Sequence, residues 1–277
     1  MKMWSASKEA AKLPAFSSLL FLAYVFLAAT ASAQYAYPPD RQRATTASSP
    51  VPRSLNEQAL FESLNQERAS HGLTALHWDA RLADAAQLHA QRMADTKDLS
   101  HQLPGEPELL ARLSSSGARF TSIAENIAEG PDVEAIHDGW MHSPGHRANI
   151  LNPQNTAVGI AVVQGSKQLF AVQDFSRAVE DLDLTQQEKK VSALLSAHGL
   201  HVEKKVVEAR RNCDADFGIS GVTVVSLIRF DSSDLNLLPD GVTKTIRSRS
   251  FRNAAVGACP PANKSGFASY RLVILLF

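Results

Sequence analysis

Nine histidines and two cysteines hold most of the reactive side-chain chemistry in this 277-residue chain, and their spacing excludes several common sites. His142 and His146 are four residues apart, the spacing that sets two imidazoles on one helix face to share a metal. Pro144 and Gly145 lie between them and break that helix. No HExxH, GxSxG, phosphate-loop or GxGxxG stretch occurs. Cys213 and Cys259 lack the CxxC spacing of a redox centre or zinc ribbon. His89 falls on the apolar stripe of a helical segment and reads as a hydrogen-bonded core residue. Asn126 and Arg147 read as scaffold that ties loops together, Arg147 being also able to pair with an acid or an anionic ligand.

The elements that would position these residues follow from hydrophobic periodicity. A helix starts at Leu55, buries Leu60, Phe61 and Leu64 on one face, and stops at Gly72. A second runs from about Arg81 to Ala94, with a stripe of Leu82, Ala85, Ala86, His89 and Met93. A third, short helix spans 106–116. Asp132 caps a fourth from Val133 to His142, ended by Ser143-Pro144-Gly145. Ala157–Val163 and Gln168–Phe175 then read as strands of a hairpin turned by Gly165-Ser166-Lys167. Helices first and an antiparallel hairpin after them make an α+β arrangement. A second unit begins with the capping box Thr185–Glu188. A helix through Val191, Leu194, Leu195 and His198 follows it, ended by Gly199. Strand-like runs come next at Val222–Phe230, Phe251–Gly257 and Tyr270–Phe277. The last is so apolar that it must lie inside a sheet or be covered. No internal repeat is evident in the residues.

Three stretches resemble the CAP family, the cysteine-rich secretory protein, antigen 5 and pathogenesis-related 1 group, in its bacterial form. They are Leu82–His101, containing ADAAQLHAQRMADTKDLSH; Ala124-Glu125-Asn126-Ile127-Ala128 with Gly130; and Trp140-Met141-His142-Ser143-Pro144-Gly145-His146-Arg147-Ala148-Asn149-Ile150-Leu151, followed by Val158-Gly159-Ile160-Ala161. The resemblance covers roughly residues 55–178. It implies an α-β-α sandwich for 54–180; the pattern of one helix and several strands over 185–277 reads as a smaller α+β domain of unknown family. The resemblance also implies that His101, Glu125 and His146 line a central cleft. Two imidazoles and a carboxylate suit a divalent cation such as zinc. They equally suit a water held between a base and an acid, or a hydrogen-bonded cluster that pins the cleft loops. Many members carry a second glutamate three residues after the tryptophan. Ser143 stands there in this chain, which implies weak zinc binding at best.

The bulk composition narrows the function. Net formal charge is zero, which argues against a nucleic-acid partner. Lys2, Lys8 and Lys12 precede an apolar run from Phe16 to Ala29 and a small-residue site at Ala31-Ser32-Ala33, the pattern of a cleaved signal peptide over 1–33. That run is shorter than the ~20 residues of a spanning helix, so no membrane segment remains after cleavage. Removing Lys2, Lys8, Lys12 and Glu9 leaves 25 basic and 27 acidic residues, net −2. Residues 34–53, rich in Pro, Ser, Thr, Ala and Arg, read as a flexible tether. Export to an oxidising compartment allows Cys213 and Cys259 to form a disulfide, two free buried thiols being the alternative. The expected function is a secreted, non-catalytic module that binds a lipid, a glycan or a protein. A hydrolase or peptidase using His101, Glu125 and His146, and a structural cell-envelope protein, are the competing readings.

Overall fold

A computed structural model describes residues 51–213, 224–248, 251–260 and 267–277. The expected signal peptide, and the tether up to residue 50, lie outside the described residues. Residues from Ser49 onward form one compact unit built on two four-stranded sheets.

The first sheet and its helices comprise α1 (Leu55–Ser70), β1 (His77–Trp78), α2 (Ala80–Thr96), α3 (Leu109–Ser115), β2 (Phe120–Gly130), α4 (Val133–His142), α5 (Pro144–Ile150), β3 (Ala157–Gln164) and β4 (Leu169–Ala178). The sheet order is β1-β3-β4-β2, parallel between β1 and β3 and antiparallel elsewhere. Local chemistry fixes the helix starts. Ser54 and Glu57 form a reciprocal capping box on α1, and the Asp79 carboxylate caps α2. Helix α2 covers one face of the sheet through Ala86, Ala90 and Met93 against Ala161 and Val172. On the other face Leu60, Leu64, Trp140 and Ile150 pack on Ile160 and Phe175. This is the α-β-α sandwich expected, and with both faces covered β3 and β4 are almost wholly buried. Helix α2 approaches the sheet very closely. A Cβ on Gly159 of β3 would sit 2.0 Å from the Ala83 nitrogen, so only glycine fits there.

The second lobe comprises α6 (Leu184–Ala197), β5 (His201–Val202), α7 (Val206–Arg210), β6 (Ser226–Ser232), α8 (Asp240–Ser248), β7 (Asn253–Cys259) and β8 (Tyr270–Leu276). Its capping box is Asp183 with Gln186, two residues before the expected Thr185–Glu188. Glu188 is instead drawn inward, where it meets Arg210 and accepts the Ala258 amide at 2.8 Å. The apolar run at the end of the sequence is β8, an interior strand between β7 and β6. The order β5-β7-β8-β6, again parallel only in its first pair, is that of the first sheet. Here too a helix presses on a strand glycine, the Gly257 Cβ position lying 2.6 Å from the Arg210 nitrogen. The structure therefore contains a topological repeat that the sequence does not display. The residues common to α1 and α6 amount to a capping box and the ending His-Gly-Leu, at 71–73 and 198–200.

Cys213 and Cys259 are bonded, with Cα atoms 5.6 Å apart and a sequence separation of 46. A loop of that length is worth at most about 4 kcal/mol of chain entropy. Reduction, or the Cys213→Ser/Cys259→Ser pair, is expected to lower the stability of residues 185–277 by up to that amount. The first sheet should be left intact. Hydrogen exchange resolved by residue checks this, and equal loss of protection in both lobes would contradict it.

Candidate functional site

Strand β2 lies at the sheet edge beside β4 and brings Glu125 opposite Asp174 in the antiparallel register. Both side chains are on the α2 face, and both are buried. After α2 the chain turns through Lys97, in the left-handed region at φ 56°, and delivers His101 to the same place. His101 Nδ1 lies 2.8 Å from Glu125 Oε1, and the imidazole is 43% exposed. Helix α3 supplies Arg112. Its Nη2 donates to Glu125 Oε2, its Nη1 donates to the His101 carbonyl at 3.1 Å, and it lies 3.6 Å from Glu106. His89, fully buried on α2 as a core histidine, meets Glu106 at 2.9 Å and turns Nε2 towards Glu125 at 3.9 Å.

Three carboxylates thus share one guanidinium and two imidazoles. Burial alone would push the Glu125 carboxyl up, but the His101 hydrogen bond and the charges of Arg112, His89 and His101 outweigh it and hold Glu125 below the usual range. Asp174 goes the other way. Burial first, then the neighbouring Glu125 charge, raise its pKa well above an ordinary aspartate against the pull of Arg112. Neither Asp174 oxygen finds a regular hydrogen-bond donor. The two shifts run in opposite directions, favouring the ionised form at Glu125 and the protonated form at Asp174.

His146 begins the second half of the site. The Pro144-Gly145 break is real, but Pro144 is also the first residue of α5, so His142 and His146 belong to different helices. Burial first, then the charge of His101, lower the His146 pKa, which favours the neutral ring. Asn126 ties this segment down. Its Nδ2 donates to the His146 carbonyl at 3.1 Å, and its Oδ1 accepts from Asn149 at 2.9 Å. Arg147 points outward and meets no acid, its Nη2 lying 3.0 Å from His71 Nε2. Around it Met141, Pro144, Ala148, Leu151 and Pro153 line an open groove, with His142 and Asn152 at the edge.

His101 and Glu125 are therefore in direct contact, with His146 alongside. Both Glu125 oxygens are already engaged, and among the described residues no three His, Cys, Asp or Glu side chains are grouped to hold a metal. This arrangement does not fit a divalent cation. Sequence reasoning missed Glu106, Arg112 and Asp174. The only signal for Asp174 was a lone acid inside a largely buried strand that opens with the apolar run Leu169–Val172.

Residues 61–175 match the model of the cysteine-rich secretory protein family, abbreviated CAP. The chain is 36% identical over 121 residues to an uncharacterized protein of Bacillus subtilis, YkwD, covering 43% of this chain and 47% of that one. It is 32% identical over 111 residues to the B. subtilis membrane protein YlbC, covering 40% and 32%. An extracellular SCP-domain protein from Bacillus anthracis, solved as a crystal structure, matches with 37% identity and TM-score 0.42, covering 44% of this chain and 40% of that one. The matched segment spans less than half the length of each of these relatives.

Removing Arg112 leaves Glu106 and Glu125 buried without their guanidinium. Arg112→Met is expected to destabilise the protein by about 3–5 kcal/mol in urea titration. Asp174→Asn should act oppositely. A raised native pKa means that wild-type stability falls as pH climbs from the ordinary aspartate range towards the native value. The asparagine variant should be the more stable of the two at pH 8, the gap closing towards pH 4. A variant no more stable than wild type at pH 8 would refute the assignment of the proton to Asp174.

Proposed function

Because residues 61–175 form a CAP domain, we propose that the chain is an exported, non-catalytic binding module. The observation that supports this is the engagement of Glu125. Its carboxylate is held by His101 and by Arg112, so it is committed to fixing the loop, β2 and α3 relative to one another. No described serine, threonine or cysteine side chain hydrogen-bonds to His101 or His146, which argues against a nucleophile on a side chain. The accessible surface beside the cleft is the groove along α5. Its apolar wall with Arg147 at the rim suits an amphiphile, an acyl chain ending in an acid group, better than a glycan. The export pattern in residues 1–33 supports a location outside the cytoplasm, and no described helix is long and apolar enough to cross a membrane.

The competing hydrolase reading rests on the His101–Glu125 contact, which resembles a base held by a carboxylate. Purified protein incubated with casein, with and without chelator, separates the two. The binding reading expects no cleavage above that of His101→Ala. A fatty-acid titration followed by tryptophan fluorescence should saturate for wild type and weaken at least ~10-fold for Ala148→Trp, which fills the exposed groove. Calorimetry with Zn²⁺ should show no sub-micromolar stoichiometric site. A tight site lost in His101→Ala would overturn the structural role given to Glu125.

A further inference from the structure

The matching topology of the two sheets lets their faces be compared position by position. In the first, Gly159, Asp174 and Glu125 form one cross-strand row under α2. In the second, the glycine pressed by α7 heads the row Gly257, Val273 and Arg229. The parallel pair β5–β7 sets a frame two residues away, in which the row is Ala255, Leu275 and Leu227. In both frames the carboxylates are gone, and the face is closed by Ala209, Val273, Leu275 and the bonded cysteines. The second lobe keeps the frame of the first without its cleft chemistry, which leaves its outer surface to interact.

That surface has the opposite sign. Residues 54–180 contain 9 basic and 16 acidic residues, net −7, whereas residues 185–277 contain 13 and 8, net +5. Part of the excess lies at the end of the second sheet where β5 and β7 begin and β8 finishes. The Arg252 carbonyl accepts the His201 amide, and its own amide donates to Phe277. Lys205 Nζ stands 4.4 Å from the centre of the Phe277 ring. Lys204 precedes α7, and Arg247 lies in the last turn of α8, the helix that leads towards β7. Lys204, Arg247 and Arg252 are exposed and make no ion pair among the described residues, while Lys205 pairs with Glu203. Val207 and Val225 are each 61% exposed in the same neighbourhood, with the Val225 amide bonded to Leu276 beside Phe277. Cations alone would suit any polyanion. Cations interleaved with exposed aliphatic side chains suit the interfacial zone of a bilayer, where the charges meet phosphates and the aliphatics enter the headgroup boundary.

We propose that this basic, valine-studded end of the C-terminal lobe docks on anionic phospholipid membrane and presents the acidic CAP domain away from it. The proposal is independent of what the CAP groove binds. The test is co-sedimentation of residues 34–277, which lack the apolar N-terminal run, with vesicles of phosphatidylglycerol and phosphatidylcholine or of phosphatidylcholine alone. Binding is expected only with the anionic vesicles, weakening at least ~10-fold between low salt and about 0.5 M NaCl. Each cation near such a surface is worth about fivefold, so Lys204→Glu/Arg252→Glu should lose at least ~25-fold. Lys167→Glu, the same type of charge change on the exposed hairpin of the CAP domain, should leave binding unchanged. Matching thermal midpoints for all three proteins show that folding is not the cause. Equal binding to neutral vesicles, indifference to the double reversal, or capture by heparin without vesicle binding would each overturn the proposal.

Discussion

Taking a carboxylate out of water costs several kcal/mol unless a cation or a set of donors meets it, and the first lobe buries three around one site, Glu106, Glu125 and Asp174, besides the Glu57 of the α1 cap. Arg112 is the cation that Glu106 and Glu125 share, and it also reaches the His101 carbonyl. A short helix of seven residues, α3, exists to bring that guanidinium under the sheet edge. Its charge helps hold the Glu125 pKa below the usual range, while burial and the Glu125 charge push that of the remaining acid, Asp174, upward and so favour its protonated form. His101 is placed from two sides, through its ring by Glu125 and through its carbonyl by Arg112. The cleft geometry therefore depends on a charge balance in the interior more than on the exposed histidines themselves.

The second lobe solves the same packing problem with other chemistry. In each lobe a helix rests directly on a strand glycine, which brings backbone against backbone and leaves little room for side chains at that point. Beneath α2 the remaining space holds ionisable groups, whereas beneath α7 it holds alanine, valine, leucine and a disulfide. A covalent bond and apolar packing keep their stability across pH, but an ion cluster does not. The first lobe is accordingly the part whose stability rests on a cluster of buried ionisable groups, whereas the second combines one buried ion pair, Glu188 with Arg210, with a bond whose contribution follows redox state.

Much of this was legible in the residues, and the exceptions share a cause. The boundaries of α1 and α4, the β3–β4 hairpin and the interior position of β8 follow from periodicity and capping residues that act over one or two turns. Strand β2 escaped because its alternation is broken by Thr121, Ser122, Glu125, Asn126 and Glu129, polar residues that function or loop-tying requires. Helix α5 escaped because Pro144 was read as an ending when it also begins the next helix. Arg112, Glu106 and Asp174 carry no signal by spacing, since the fold brings them together from α3, the loop before it and β4. The repeat is invisible because the two lobes share backbone topology and a glycine contact, which constrain very few side chains.

The junction between the lobes bears on the site through β2. Its first residue, Phe120, is fully buried. Its carbonyl accepts the Ala268 amide at 2.8 Å, and its ring packs edge-on against Phe267 of the second lobe. Arg119 lies over the Tyr270 ring, whose hydroxyl donates to the Glu180 carbonyl; burial raises that phenol to about 12, so it remains a donor throughout the physiological range. At its other end β2 finishes at Gly130, against which Ile136 of α4 packs so closely that a Cβ would meet it at 2.8 Å. The edge strand that carries Glu125 is thus clamped at both ends, by the second lobe and by α4. An edge strand fixed in this way cannot shift in register, and a one-residue slip would turn Glu125 to the opposite face. The second lobe therefore contributes to the cleft without supplying a residue to it: it holds in place the strand on which the charge balance is built.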